Sequence, residues 1–132
     1  IGGGLVGLEL AEYLAERGRQ VTVLEEGKHL GLPMAMPRRW TAVRKATSHG
    51  VTLIREATPV SISKVVVRYR VGEQEYEVRG DSVIIASEVS PDVSLADRLA
   101  ERGLNVKTVG DAAHVGYIEG AMHTAHEVAR EL

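Results

Sequence analysis

A glycine-rich turn at the start of the chain, followed by a helical segment, constrains the fold more than any other stretch. Gly2, Gly4 and Gly7 form a G-x-G-x-x-G pattern that opens an apolar helix closed by Gly18. In such a pattern the first glycine permits a tight turn, the second lets backbone approach a pyrophosphate, and the third packs helix against strand. The helix N-terminus, with free N–H groups and partial positive charge, would face the phosphates. The pattern therefore predicts a dinucleotide-binding turn.

An acidic residue completes this pattern. The apolar run at residues 21–24 predicts a buried parallel strand, and Glu25 follows it. An acid about 20 residues after the glycines is where a carboxylate accepts hydrogen bonds from ribose hydroxyls. Because Glu25 and Glu26 would repel an adenosine 2′-phosphate, the pair favours NAD over NADP. The alternative is a structural or ADP-binding module that retains the fold but moves no electrons.

The remaining elements alternate between helix and strand. Only Ile1 precedes the glycines, so we expect a truncated first strand. Alternating apolar and polar residues between about 58 and 79 predict an antiparallel three-stranded meander with one wet face. The other expected elements are a helix at 37–48, strands at 51–54, 81–86 and 105–109, a short helix at about 91–103, and a small-residue helix at 117–132. Together they predict an α/β fold, a Rossmann-like doubly wound parallel sheet with the meander inserted.

Composition excludes several functional classes. The chain has 132 residues, a net charge of -2, 44% hydrophobic residues and no cysteine. The charge gives no electrostatic case for nucleic acid or an anionic membrane, and no apolar run reaches the roughly 20 residues of a membrane span, so we expect a cytoplasmic protein. Without cysteine, this chain cannot build a disulfide framework, a thiolate zinc site or a cysteine-ligated iron–sulfur cluster, so redox chemistry needs a bound cofactor.

No metal site and no catalytic residue are predicted within this chain. His123 follows Glu119 at i,i+4 and precedes His126 at i,i+3, and His114 lies nearby, but there is no H-E-x-x-H pattern. Imidazoles on such a helix are commonly solvated. Glu9, expected in the first turn of the first helix, could approach a nicotinamide, but an acid there also stabilises the helix through its dipole with no ligand bound.

The order of these motifs, ending in the V-x-x-V-G-D-A stretch at residues 106–112, resembles that of a known family. It is similar to the flavoproteins with two dinucleotide-binding domains, the pyridine nucleotide-disulfide oxidoreductase superfamily. Within that superfamily the chain looks most like the C-terminal part of the multidomain NADH:flavin oxidoreductases similar to 2,4-dienoyl-CoA reductase and trimethylamine dehydrogenase.

The resemblance implies a division of labour along the chain. Residues 1–100 match an NAD(P)-binding domain, and residues 104–132 match the segment that returns to an FAD-binding domain. Two sets of cofactor-binding residues follow, Gly2, Gly4, Gly7 and Glu25 for a pyridine nucleotide and Gly110, Asp111 and Ala112 for FAD. The implied function is transfer of hydride or electrons between NAD(H) and a flavin held mostly outside this chain. The implied partners are the FAD domain and a flavin-containing barrel, so the fragment alone is expected to be inactive.

One residue departs from the family pattern. After the strand expected at 81–86, where the family has small residues, this sequence has Glu88. A bulky charged side chain there would obstruct the approach of backbone to nucleotide or flavin, which favours the non-catalytic alternative.

Overall fold

The structure is a computed structural model that describes residues 1–87 and 89–131. Contacts divide the chain into two units, Ile1–Ser87 and Glu88–Leu132. This division falls earlier than the expected boundary at residues 100–104. The assignment of residues 1–100 and 104–132 to two cofactor domains stays a prediction.

Two helices pack with a pair of parallel strands in the first unit. The elements are α1 (Leu5–Ala15), β1 (Thr22–Leu24), α2 (Met36–Ser48) and β2 (Thr52–Ile54), and β1 pairs with β2 in parallel. Their buried core contains Leu8, Ala11, Val23, Leu30, Ala46 and Val51. The apolar spacing along α1 thus places its inner face on β1, as parallel strands covered by helices require.

Helix α1 ends as the sequence predicts. Gly18 has a φ of +76°, its N–H donates to the Ala15 carbonyl at 2.9 Å, and the Arg19 N–H donates to the Leu14 carbonyl at 3.1 Å. This pair of bonds is a Schellman motif, which a glycine closes without steric cost because it has no Cβ.

The predicted meander is confirmed. It consists of β3 (Ala57–Ile62), β4 (Val66–Val71) and β5 (Gln74–Arg79), paired antiparallel in sequence order. Val67 and Tyr69 are buried, whereas Arg68 and Arg70 between them are exposed, which reproduces the expected dry and wet faces. The Tyr69 ring stacks on that of Tyr76 with 5.6 Å between centroids.

The expectation of a buried strand at residues 81–86 is wrong. This segment forms no strand element, and Val83, Ile84 and Ile85 are 36%, 45% and 58% exposed. Ile1 nevertheless makes the two bonds of a parallel bridge with it, since the Ile1 nitrogen donates to the Ile84 carbonyl and the Ala86 N–H donates to the Ile1 carbonyl, both at 2.7 Å. On the other side the Gly2 N–H donates to the Leu24 carbonyl at 2.9 Å. A single bridging residue is too short a ladder to define a strand, and it leaves the side chains of residues 83–85 exposed.

The second unit contains α3 (Ser94–Ala100), a 3₁₀ turn (Gly110–Ala112) and α4 (Tyr117–Ala129). The expectation of a strand at 105–109 is also wrong, since residues 89–131 contain no strand. This segment therefore has no neighbouring strand in its own unit with which to pair. Ahead of α3, Asp92 Oδ1 accepts the N–H of Ser94 at 2.9 Å, and hydrogen bonds from Ser94 hold the pKa of Asp92 below its usual value. None of the helices described in either unit is long and apolar enough to cross a membrane.

Candidate nucleotide-binding sites

The first and third glycines of the motif have the geometry that the pattern predicts. Gly2 has a φ of +95°, and a Cβ on it would lie 2.6 Å from the Ala86 carbonyl oxygen. A Cβ on Gly7 would overlap the Gly2 carbonyl oxygen and lie 2.9 Å from the Gly2 carbonyl carbon. The turn is therefore left-handed at its start, and the first turn of α1 packs directly on it.

The loop between β1 and α2 is hydrogen-bonded to this turn. The Gly31 N–H donates to the Gly3 carbonyl at 2.6 Å, and the Leu5 N–H donates to the Leu32 carbonyl at 2.8 Å. A Cβ on Gly4 would lie 3.2 Å from the same Leu32 oxygen, so the second glycine allows the loop to approach closely.

The helix N-terminus keeps donors for an anion. Leu5 is the first residue of α1, and its N–H is already bonded to the loop. In the part of the chain that the structure describes, the N–H groups of Gly4, Val6 and Gly7 have no hydrogen-bond partner. These three groups remain to donate to a phosphate, in keeping with the anion affinity of helix N-termini.

Glu25 joins the glycine turn to the loop that follows β1. Its Oε2 accepts the N–H of Gly3 at 2.6 Å, and its Oε1 accepts the N–H of Gly27 at 2.7 Å. The half-buried carboxylate is thus fixed before any ligand binds. Gly3 is a site residue that the motif analysis missed. A Cβ there would lie 2.9 Å from the Glu25 Cβ and 2.5 Å from Leu30 Cδ2, and the run of three glycines was the available signal.

The predicted flavin residues lie together in the second unit. Gly110 begins the 3₁₀ turn, is buried and has a φ of +63°. The Asp111 Oδ1 accepts the N–H of Gly116 at 3.0 Å, while the rest of its exposed carboxylate makes no hydrogen bond within residues 89–131. Ala112 is exposed at the end of the turn. Asp111 thus has acceptor capacity to spare for a ligand hydroxyl.

Helix α4 lies close to this turn because small residues line the contact. A Cβ on Gly110 would lie 3.3 Å from the Ala121 Cβ. The Gly110 N–H donates to Thr124 Oγ1 on the same helix at 2.8 Å. Sequence analysis missed Thr124, whose signal was a hydroxyl on the small-residue face of the helix.

The residues weighed for metal binding separate into different surroundings. Within residues 1–87 and 89–131, the structure does not bring His114, His123 and His126 together as metal ligands. Among the residues it describes, Glu12, Glu16 and His49 have ligand atoms within 4.8 Å of one another, but the Lys45 Nζ already lies 3.3 Å from Glu12.

Glu9 is paired with Arg38 at 2.8 Å. Glu88, expected to obstruct a cofactor, lies outside the described residues.

A groove of about 960 Å³ opens beside Ile1, between α1, β1 and residues 79–86. Apolar side chains including Leu10, Leu14 and Val83 line it, whereas Gly4 and Glu25 do not. Gly2 and Gly7 of the glycine turn also line the groove, so it borders the turn but does not include the fixed carboxylate of Glu25.

The chain is similar to several known proteins. A family model described as pyridine nucleotide-disulphide oxidoreductase matches residues 1–116. The chain is 32% identical over 138 residues to an NADH oxidase of Thermoanaerobacter brockii, covering all of this chain and 21% of that protein. The fold is similar to that of a 2-naphthoyl-CoA reductase, with a TM-score of 0.88 at 26% identity over 99% of this chain and 20% of the other. It is also similar to histamine dehydrogenase from Rhizobium sp. 4-9, with a TM-score of 0.84 at 20% identity over 96% of this chain and 21% of the other. The chain thus spans about a fifth of the length of these proteins.

Proposed function

Since the chain belongs to the pyridine nucleotide-disulphide oxidoreductase family, we propose that it is the dinucleotide-binding part of a larger FAD-dependent oxidoreductase. In that protein, hydride passes between NAD(H), bound at the glycine turn, and a flavin held mostly outside these residues. The chain's own residues bind and orient the two cofactors, and none of them is assigned a catalytic role. The α/β fold with its inserted meander is the one predicted from the sequence, and the family supports a redox function.

The hydrogen bonding of Glu25 carries the choice of NAD. An ionised carboxylate offers about four acceptor positions, two on each oxygen. The N–H groups of Gly3 and Gly27 take one position on each oxygen. One position is left on each oxygen, which matches the two O–H donors of a ribose cis-diol.

A 2′-phosphate fits this arrangement poorly. It replaces a hydroxyl donor with acceptors and brings up to two negative charges, while the carboxylate already occupies the nearby N–H donors of Gly3 and Gly27. Like charges a few ångströms apart cost about 1 to 4 kcal/mol at intermediate dielectric, or about one to three decades in affinity. Lys28 and His29 are the basic residues nearest in sequence that could offset this cost.

Calorimetric titration of NADH and NADPH into the parent flavoprotein tests this choice. We expect NADH to bind about 10-fold to 1000-fold more tightly than NADPH. Glu25→Ala should reduce that preference, because it removes the charge and frees both backbone donors. Glu73→Ala is the charge-matched control, since this acid lies in the turn between β4 and β5, is exposed and makes no hydrogen bond among the described residues. Equal or tighter NADPH binding by the wild type would overturn the assignment.

We propose that Asp111 binds the flavin nucleotide. Its carboxylate has acceptor positions that make no hydrogen bond within residues 89–131, and these can accept hydrogen bonds from flavin hydroxyl groups. Asp111→Ala in the parent protein should lower flavin occupancy, measured by absorbance after purification, because a hydrogen bond to a charged acceptor contributes about 1.5–3 kcal/mol. Asp81→Ala, at an exposed acid in the other unit, is the charge-matched control. Unchanged flavin content in Asp111→Ala would show that the FAD role is wrong.

The second candidate function is a nucleotide-binding module that moves no electrons. The acidic Glu88 favours it, because the family has small residues at this position, where a nucleotide or flavin approaches the backbone. Such a module would bind NADH without bleaching the flavin absorbance of the parent protein, whereas an oxidoreductase would bleach it under anaerobic conditions.

A further inference from the structure

We propose that Thr124 on α4 is a positioning residue of the flavin-binding turn. Its hydroxyl holds the backbone of Gly110 and thereby sets the position of the neighbouring Asp111 carboxylate. This inference rests on the proposed role of Asp111 in binding FAD.

The hydrogen bonds of Thr124 fix the direction of its hydroxyl. The Gly110 N–H is a donor only, so Thr124 Oγ1 accepts it, at 2.8 Å. The hydroxyl proton is then donated to a carbonyl of its own helix, that of Gly120 at 2.8 Å, with the Ala121 carbonyl at 3.3 Å. A threonine hydroxyl has one donor and two acceptor positions. Thr124 therefore donates its proton to its own helix and accepts the N–H of the turn with a lone pair.

The turn is held at both of its ends. Thr124 binds its first N–H, at Gly110, and the Asp111 carboxylate binds the N–H of Gly116 beyond its last residue. The Gly110 carbonyl accepts from Ala113 at 2.9 Å and His114 at 3.1 Å, which closes the turn between these ends. Because Asp111 directly follows Gly110, a shift of the Gly110 backbone would move its carboxylate.

A comparison within the chain separates this role from an ordinary helical threonine. On α2, Thr47 Oγ1 donates to the Val43 carbonyl four residues earlier at 2.9 Å, as Thr124 does to Gly120, but it accepts no N–H from another described segment. Thr47→Val therefore removes only the local bond that both residues make. Thr124→Val also leaves the N–H of a buried glycine without its acceptor.

The test measures FAD affinity in the parent flavoprotein after removal of its flavin, by quenching of flavin fluorescence on titration. Thr124→Val should weaken FAD binding about tenfold, the effect of losing one buried hydrogen bond. Thr124→Ser, which restores the hydroxyl, should bind FAD like the wild type, and so should Thr47→Val. NADH affinity, measured on the same proteins, should not change. If Thr124→Val does not fold, as judged by thermal melting of the apoprotein, Thr124→Ala is measured in its place with the same expectations.

The variants distinguish the two ways of failing. If Asp111→Ala weakens FAD binding while the Thr124 variants bind like the wild type, the positioning role is wrong and the flavin assignment stands. If Asp111→Ala has no effect on FAD affinity, the flavin assignment fails and the positioning role fails with it. Equal losses of FAD and NADH affinity in Thr124→Val, not rescued by serine, would indicate general destabilisation and overturn the proposal.

Discussion

The two acids assigned to cofactors are both tied to backbone amides of their own units. Glu25 accepts an N–H on each carboxylate oxygen, and Asp111 accepts one on Oδ1. Each bond fixes the rotamer in advance, so less side-chain freedom is lost when a hydroxyl binds. At the residue scale, each of these two carboxylates therefore holds nearby backbone in place and also offers acceptor positions to a ligand.

Gly7→Ala should disrupt the first site at this scale. The added methyl group would meet the Gly2 carbonyl, which is backbone and cannot rotate away. Overpacking of this kind costs about 1–3 kcal/mol, and relieving it moves α1 off the turn. We expect a lower melting temperature and weaker NADH binding. Val6→Ala, at a 57% exposed neighbour, is the control for melting temperature and should change stability by less than about 0.5 kcal/mol. A Gly7→Ala protein as stable as this control would contradict the packing role.

At the scale of elements, the sequence predicted what depends on local period and missed what depends on partners. The meander follows from alternation in which Val67 and Tyr69 face inward. The runs at 83–86 and 105–109 have strand-like composition, but burial and pairing depend on neighbouring strands that their own residues do not specify. The hydrogen bonds from Gly3 and Gly27 to Glu25 could not be predicted either, because sequence spacing places an acid at the end of a strand without identifying the donors that it binds.

The two faces of the meander should respond differently to substitution. Tyr69 is buried and stacked on Tyr76, so Tyr69→Ala should destabilise the meander by about 3–5 kcal/mol, as for other large aromatic residues. Arg68, its neighbour on the exposed face, pairs with Glu77 at 2.8 Å, and Arg68→Ala should cost less than about 1 kcal/mol. Hydrogen exchange of the β4 amides measures both effects. Similar losses of protection in the two variants would contradict the assignment of dry and wet faces.

At the scale of the whole molecule, the two proposed sites belong to different units. The glycine turn and Glu25 lie in Ile1–Ser87, and the turn containing Asp111 lies in Glu88–Leu132. The chain spans about a fifth of the relatives it matches, so neither site is expected to account for the whole reaction. If the first unit only binds the nicotinamide cofactor, its substitutions should change how much NADH is bound without changing the chemical step.

Rapid kinetics of flavin reduction by NADH in the parent protein tests this separation. An interaction made equally in ground and transition states alters the apparent dissociation constant and leaves the limiting rate unchanged. Glu25 would contact the adenosine ribose, remote from the reacting carbon, so Glu25→Ala should raise the apparent NADH dissociation constant about tenfold or more, the effect of losing hydrogen bonds to a charged acceptor. The limiting rate per flavin should stay within about twofold of the wild type.

Asp111→Ala should instead lower flavin content while the flavin that remains is reduced with unchanged NADH dependence. A large fall in the limiting rate of Glu25→Ala, at unchanged NADH affinity, would show that the first unit contributes to hydride transfer itself.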